Sequence, residues 1–160
     1  MKLTSQEEYG LRCLLRVGHA GDAGSLTIPE LSRAEGISES NVAKMMRVLR
    51  RGGFVRSTRG QAGGYALSRP ADQIQLGHVL AVLGGRLYEP AFCDGHSGFE
   101  RACTHMPDCS IRSVWRMVQA AVDQVLEKIT LKDLLRTEPE MNAWRQTTPA
   151  LPTYSPRPGL

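Results

Sequence analysis

No apolar run in this chain approaches the roughly eighteen residues needed to cross a bilayer as a helix, which excludes a membrane-spanning segment of that kind. Nor is a secretory leader expected. The first twenty residues carry Glu7, Glu8, Arg12 and Arg16 inside their apolar pattern, where a leader needs an unbroken apolar stretch. A cytoplasmic location is therefore expected, and there thiols stay reduced, which argues against a disulfide framework for the four cysteines. Enzymatic equipment is also absent: there is no nucleophile with a nearby base, no phosphate-cradling glycine loop and no acid–base pair at useful spacing, so the chain does not read as an enzyme. Acidic residues are scarce in one place, with a single one, Glu39, against seven basic ones across residues 38–69.

That last scarcity points to function. The formal net charge is +4 over 160 residues, and nearly all of the excess sits in that one segment. Confined positive charge of this kind is the footprint of a surface that meets phosphates. With 41% hydrophobic residues the chain can bury one modest core with extensions.

The basic segment is patterned. Thr27 and Glu30 form a capping box, Pro29 occupies a first-turn position and Gly36 ends the run, which predicts a short helix. Ser38 then caps ESNVAKMMRVLRRGG, where Val42, Met45, Met46 and Leu49 share one face at i, i+3, i+4, i+7 spacing. Ser40, Lys44, Arg47 and Arg51 lie opposite, with Asn41 beside them. Two helices joined by a glycine-containing turn make a helix-turn-helix whose second helix can enter the major groove. Two β-prone runs follow, Phe54 to Thr58 and Tyr65 to Ser68. They flank Arg59, Gly60, Gly63 and Gly64, and so predict a hairpin wing whose glycines give the turn its positive φ angles and bring it close to the sugar-phosphate backbone. Asn41 and Lys44 are the expected base-edge contacts, and Arg47, Arg51 and Arg59 the phosphate or minor-groove contacts.

Downstream, Ile111, Trp115, Val118, Val122, Val125 and Ile129 recur at alternating four- and three-residue intervals, a coiled-coil type of seam. A helix from Ser110 to Lys128 would be about 28 Å long, too long for a small winged helix to cover, so pairing with a second copy is expected. Two-fold pairing predicts a pseudo-palindromic operator with half-sites about 34 Å apart, or a multiple of that. The fold expected is thus mainly α with a small β-hairpin wing. Residues 1–84 form the DNA-binding domain, 85–109 a cysteine-containing loop, 110–137 the dimerisation helix with a short helix after it, and 138–160 a disordered tail.

Three of the four cysteines, Cys93, Cys103 and Cys109, crowd into CDGHSGFERACTHMPDC just before that long helix. In a reducing compartment such clustering indicates a metal site or a redox sensor. Cys13 lies apart on an apolar helix and reads as core filler; His19 and His78 have no metal-spaced partners.

Together, MKLTSQEEYGLRCLLRV, GISESNVAKMMRVLRRGGFVRSTRGQAGGYALSRP, IQLGHVLAVLGG, the three cysteines and ITLKDLL resemble the Rrf2 family of winged-helix regulators, which includes IscR-like and NsrR-like members. The resemblance spans roughly residues 1–136. It implies a homodimeric transcription factor whose operator binding is set by an iron-sulfur cluster sensing NO, redox or iron status, of 2Fe-2S or 4Fe-4S type. Cys93, Cys103 and Cys109 supply three of the four ligands such a cluster needs. IscR-like members place a histidine three residues after the last cysteine, where this chain has Arg112; NsrR-like members use an acidic residue from the partner's N-terminus, matched here by Glu8. Glu8 is thus the first expectation for the fourth ligand, with His105 second and Asp108, His96 and Asp94 behind. The alternatives are a structural zinc site on Cys93, Cys103, Cys109 and His105, and a metal-free thiol switch.

Overall fold

The computed structural model describes residues 3–21, 24–58, 63–89, 91–97 and 103–148. Helix α1 (Ser5–His19) starts on a Thr4–Glu7 capping box. Helix α2 (Ile28–Glu35) starts on the Thr27–Glu30 box and ends at Gly36, whose φ of 65° is left-handed, a conformation that favours glycine. Helix α3 (Glu39–Arg51) follows after the two-residue link Ile37–Ser38. Strands β1 (Val55–Thr58) and β2 (Gly64–Leu67) form an antiparallel hairpin with Val55 opposite Leu67 and Thr58 opposite Gly64. Helix α4 (Leu76–Gly84) then returns to α1.

One core holds these elements. Cys13, Leu14 and Val17 of α1, Leu31 of α2, and Val42, Met45, Met46 and Leu49 of α3 pack with Phe54, Val55, Ile74, Val79, Leu83 and Leu131. The four α3 residues are those that helical spacing assigns to one face, because a 3.6-residue period puts them on a single stripe. Gly10 allows α1 and α4 to approach closely, since a Cβ there would stand 2.4 Å from Leu83 Cδ2. Burial pushes the Cys13 thiol up to about 11, with Glu35 raising it further and Arg12 opposing, so Cys13 stays neutral and fills core space as expected. Arg12 and Arg16 both pair with Glu35 and fasten α1 to α2.

After α4 comes the one-turn helix α5 (Phe92–Gly95), then the long helix α6 (Ser110–Leu126), the short α7 (Leu131–Leu134) and α8 (Glu138–Thr147). Two expectations are corrected here. Ile129 is not on the seam of the long helix. It lies beyond the end of α6 and is buried in its own chain, where its carbonyl accepts from the Leu76 N–H at 2.9 Å and the Leu131 N–H donates to Ile74 O at 2.8 Å. These bonds stitch the chain after α6 back onto the DNA-binding domain. Residues 138–147, expected within a disordered tail, are helical: Thr137 and Glu140 form a capping box with Pro139 in the first turn, and Arg136 lies over the Trp144 ring at 5.6 Å. Residues 149–160 lie outside the described residues.

Candidate nucleic-acid interface and cysteine loop

Helix α3 presents two unlike faces. Its apolar stripe is buried, while Ser40, Asn41, Lys44, Arg47, Arg50 and Arg51 are all exposed. Among the described residues none of the four cations pairs with a carboxylate, so their charge is open to phosphates. Arg50 was missing from the sequence expectation because it lies off the Lys44–Arg47–Arg51 stripe. Ser38 takes the N-cap position without a side-chain capping bond; its hydroxyl lies 3.2 Å from that of Ser40. Both hydroxyls are exposed at the helix start, where a recognition helix meets base edges.

The wing differs from expectation at one residue. Gly64 lies in extended β2, and its missing side chain serves the protein interior. Tyr65 exchanges backbone hydrogen bonds with Leu26, at 3.0 and 2.8 Å, which adds a one-residue third strand to the hairpin. A Cβ on Gly64 would stand 2.8 Å from Leu26 C and O, a backbone contact that cannot yield as a side chain can. Gly64→Ala should therefore cost about 1–3 kcal/mol of stability, the usual range for overpacking, read as a lower denaturant midpoint with an unchanged slope. Nothing in local sequence shows this, because Leu26 is nearly forty residues away. Gly63 is half-buried beside it. Arg59 and Gly60 lie outside the described residues.

Helix α6 meets its own domain on one side only. Gly77 of α4 approaches it closely, a Cβ there being 3.3 Å from Leu126 Cβ. Gln119, only 7% exposed, accepts the Tyr88 N–H at 2.9 Å and donates to Asp123 at 2.8 Å, and Asp123 pairs with Arg86. The seam side faces outward. Ile111 is 52% exposed and Trp115 43%, with Val114 and Met117 exposed beside them, while Val118, Val122 and Val125 are half-buried.

The cysteine loop leads into this helix. Cys109 is its N-cap, with the sulfur accepting the Arg112 N–H at 3.4 Å. Cys93 lies on α5 with its sulfur 3.5 Å from the Tyr88 hydroxyl, so through Tyr88 and Gln119 it is tied to α6. Cys103 is half-buried and, like the other two, a free thiol. Three free thiols with hydrogen-bond donors beside two of them suit a soft, thiolate-bound group. Among the described residues, no three ligating side chains stand close enough to hold one metal ion; a shared group would require the segment to close on itself. Of the remaining candidates, Glu8, His96, His105, Asp94 and Asp108 are all exposed.

A family model described as an iron-dependent transcriptional regulator, Rrf2, matches residues 3–137. This chain belongs to the Rrf2 family. It is 35% identical over 136 residues to the protein rrf2 of Nitratidesulfovibrio vulgaris, covering 85% of this chain and 88% of that relative. Among solved structures it resembles the Bacillus subtilis global cysteine regulator CymR, with a TM-score of 0.66, 26% identity and coverage of 84% of this chain and 96% of that one. It resembles T. potens IscR equally, with a TM-score of 0.66, 29% identity and coverage of 84% and 86%. The Rrf2-family chain is accordingly a winged-helix transcriptional regulator and not an enzyme, and no helix among its described residues is long and apolar enough to span a membrane.

Proposed function

We propose that this Rrf2-family protein is a homodimer whose grip on a two-fold operator is set by an iron-sulfur cluster held by Cys93, Cys103 and Cys109. The observation that carries the reading is the position of Cys109. It is both a potential ligand and the N-cap of the helix whose apolar seam lies open to a second copy. A change at the sulfur therefore acts on the first turn of α6, where the Arg112 N–H depends on it, and a shift of α6 alters the spacing of the two α3 helices. The cluster, when bound, would supply a change of charge and ligation in response to NO, redox state or iron supply. On DNA, Asn41 and Lys44 reach base edges, while Arg47, Arg51 and Arg59 neutralise phosphates or enter the minor groove. The fourth ligand in this reading would come from Glu8 of the partner subunit.

A thiol switch is the second reading, favoured by the likeness to a cysteine regulator and by three free thiols of which none is fully buried. Anaerobic purification followed by a visible spectrum and iron, sulfide and zinc analysis separates the readings. A brown protein with iron and acid-labile sulfide is expected. A colourless protein with one zinc per chain would sink the sensor in favour of a structural site. A metal-free protein whose operator affinity changes reversibly on oxidation would establish the switch.

A further inference from the structure

Between Ser40 and Ala71 the chain carries seven basic residues and no acidic one. The α3 surface and the wing tip account for five of them, Lys44, Arg47, Arg50, Arg51 and Arg59. Arg56 and Arg69 are left over. Both are exposed, and among the described residues neither pairs with a carboxylate; Asp72, the next acid along the chain, pairs with Lys132 at 3.7 Å. An ordinary surface arginine samples many rotamers, but these two are held. Arg56 stands on β1 opposite Ala66 and reaches across the hairpin, so that its Nε–H donates to the Leu67 carbonyl at 3.2 Å. That bond fixes the guanidinium plane and uses one of its five N–H groups. The four on the terminal nitrogens have no partner among the described residues, and they form the flat fork that matches two phosphate oxygens.

Arg69 follows just after β2, with its guanidinium carbon 5.4 Å from the centre of the Phe54 ring, a cation–π contact that holds the second charge in place. The two arginines are anchored on adjacent rungs of the hairpin, since Val55 pairs with Leu67 and the Ser68 N–H donates to Phe54 O at 3.0 Å. This place adjoins the recognition helix. The Gly53 N–H donates to Arg50 O and the Phe54 N–H to Leu49 O, both at 3.0 Å, so β1 leaves directly from the last turn of α3, which holds Arg50 and Arg51. We propose that Arg56 and Arg69, at the base of the wing, are a prepositioned clamp for phosphates of the DNA strand bordering the groove that α3 enters, an inference that rests on the DNA-facing reading of α3 above. Side chains already held lose little further freedom on binding. Phosphate contacts fix register and orientation without reading sequence, so the clamp steadies the wing on DNA independently of what its tip meets.

The test compares wild type, Arg56→Ala, Arg69→Ala and Arg56→Lys as full-length proteins. Affinity is measured against salt on a duplex carrying the operator that the wild-type protein selects from random sequence, and on the same duplex scrambled. Each alanine variant should bind both duplexes about tenfold more weakly, the size of one charge-assisted hydrogen bond, and should lower the slope of log affinity against log salt by about one. Arg56→Lys keeps the charge and loses the fork, so it should restore the slope but not the affinity. Because both side chains are exposed, melting should stay close to wild type, which separates a lost contact from a lost fold. In wild type, a neutral methylphosphonate at one position of each half-site should weaken binding as Arg56→Ala does, and it should weaken Arg56→Ala no further. An unchanged salt slope in both alanine variants, or a loss confined to the selected duplex, would overturn the clamp while leaving α3 as the DNA-reading helix. A wild-type protein that binds neither duplex overturns both, before any variant is made.

Discussion

Trp115→Asp should turn the protein into a monomer and weaken operator binding by about 10²–10⁴-fold, the avidity expected when a second half-site is engaged through a linked copy. Trp115 lies near the start of α6 with 43% of its surface exposed, flanked by Ile111, Val114 and Met117, all exposed as well. Four large apolar side chains within about two turns form the kind of patch that marks an interface, and an aromatic buried there on pairing is the usual anchor. An aspartate there would place an unpaired carboxylate between two apolar seams, which interfaces do not tolerate without large loss. Because Trp115 is exposed and takes no part in the buried core that α1, α2, α3 and α4 share, the winged helix should keep its fold. Light scattering coupled to gel filtration gives the mass, and fluorescence anisotropy with a labelled operator gives the affinity. A variant that remains dimeric with unchanged affinity would move the dimer interface elsewhere.

On the recognition helix, opposite faces should fail in opposite ways. Met46 is fully buried at the centre of the α3 stripe, so Met46→Ala should cost about 2–5 kcal/mol, a large part of the 5–15 kcal/mol that stabilises an ordinary domain. Urea unfolding should show a midpoint shift of that size, with near-normal operator affinity per folded molecule at low temperature. Lys44→Ala, two residues earlier and exposed, should leave the urea midpoint where it was. It should instead weaken operator binding and reduce the slope of log affinity against log salt by about one. Loss of stability in Lys44→Ala, or an unchanged salt slope, would remove that residue from the DNA-facing surface.

The contrast between these two residues reflects how information is laid out along the chain. Met46 and Lys44 could be assigned to their faces from spacing alone, because a helix of thirteen residues repeats every 3.6 and its neighbours in space are its neighbours in sequence. The Thr27–Glu30 box, Gly36 and the hairpin runs are equally local. Helix α8 was local too: Thr137, Pro139 and Glu140 repeat the pattern of Thr27, Pro29 and Glu30, but the proline-rich stretch after it led the whole end of the chain to be read as irregular.

Other features depended on residues far apart. Gly64 looks like a DNA-facing glycine until Leu26 is found against its backbone. Ile129 continues the seam by arithmetic, yet the helix stops at Leu126 and the next residues bond to Ile74 and Leu76, which turns Ile129 inward. The sequence by itself determined the helix-turn-helix, its basic outer face, the wing and the crowding of thiols before a long amphipathic helix, since each is written within a dozen or so consecutive residues. Only the tertiary structure decided which glycine is needed by the fold and where the long helix ends. Those outcomes follow from contacts between segments thirty to sixty residues apart, whose approach no local periodicity encodes.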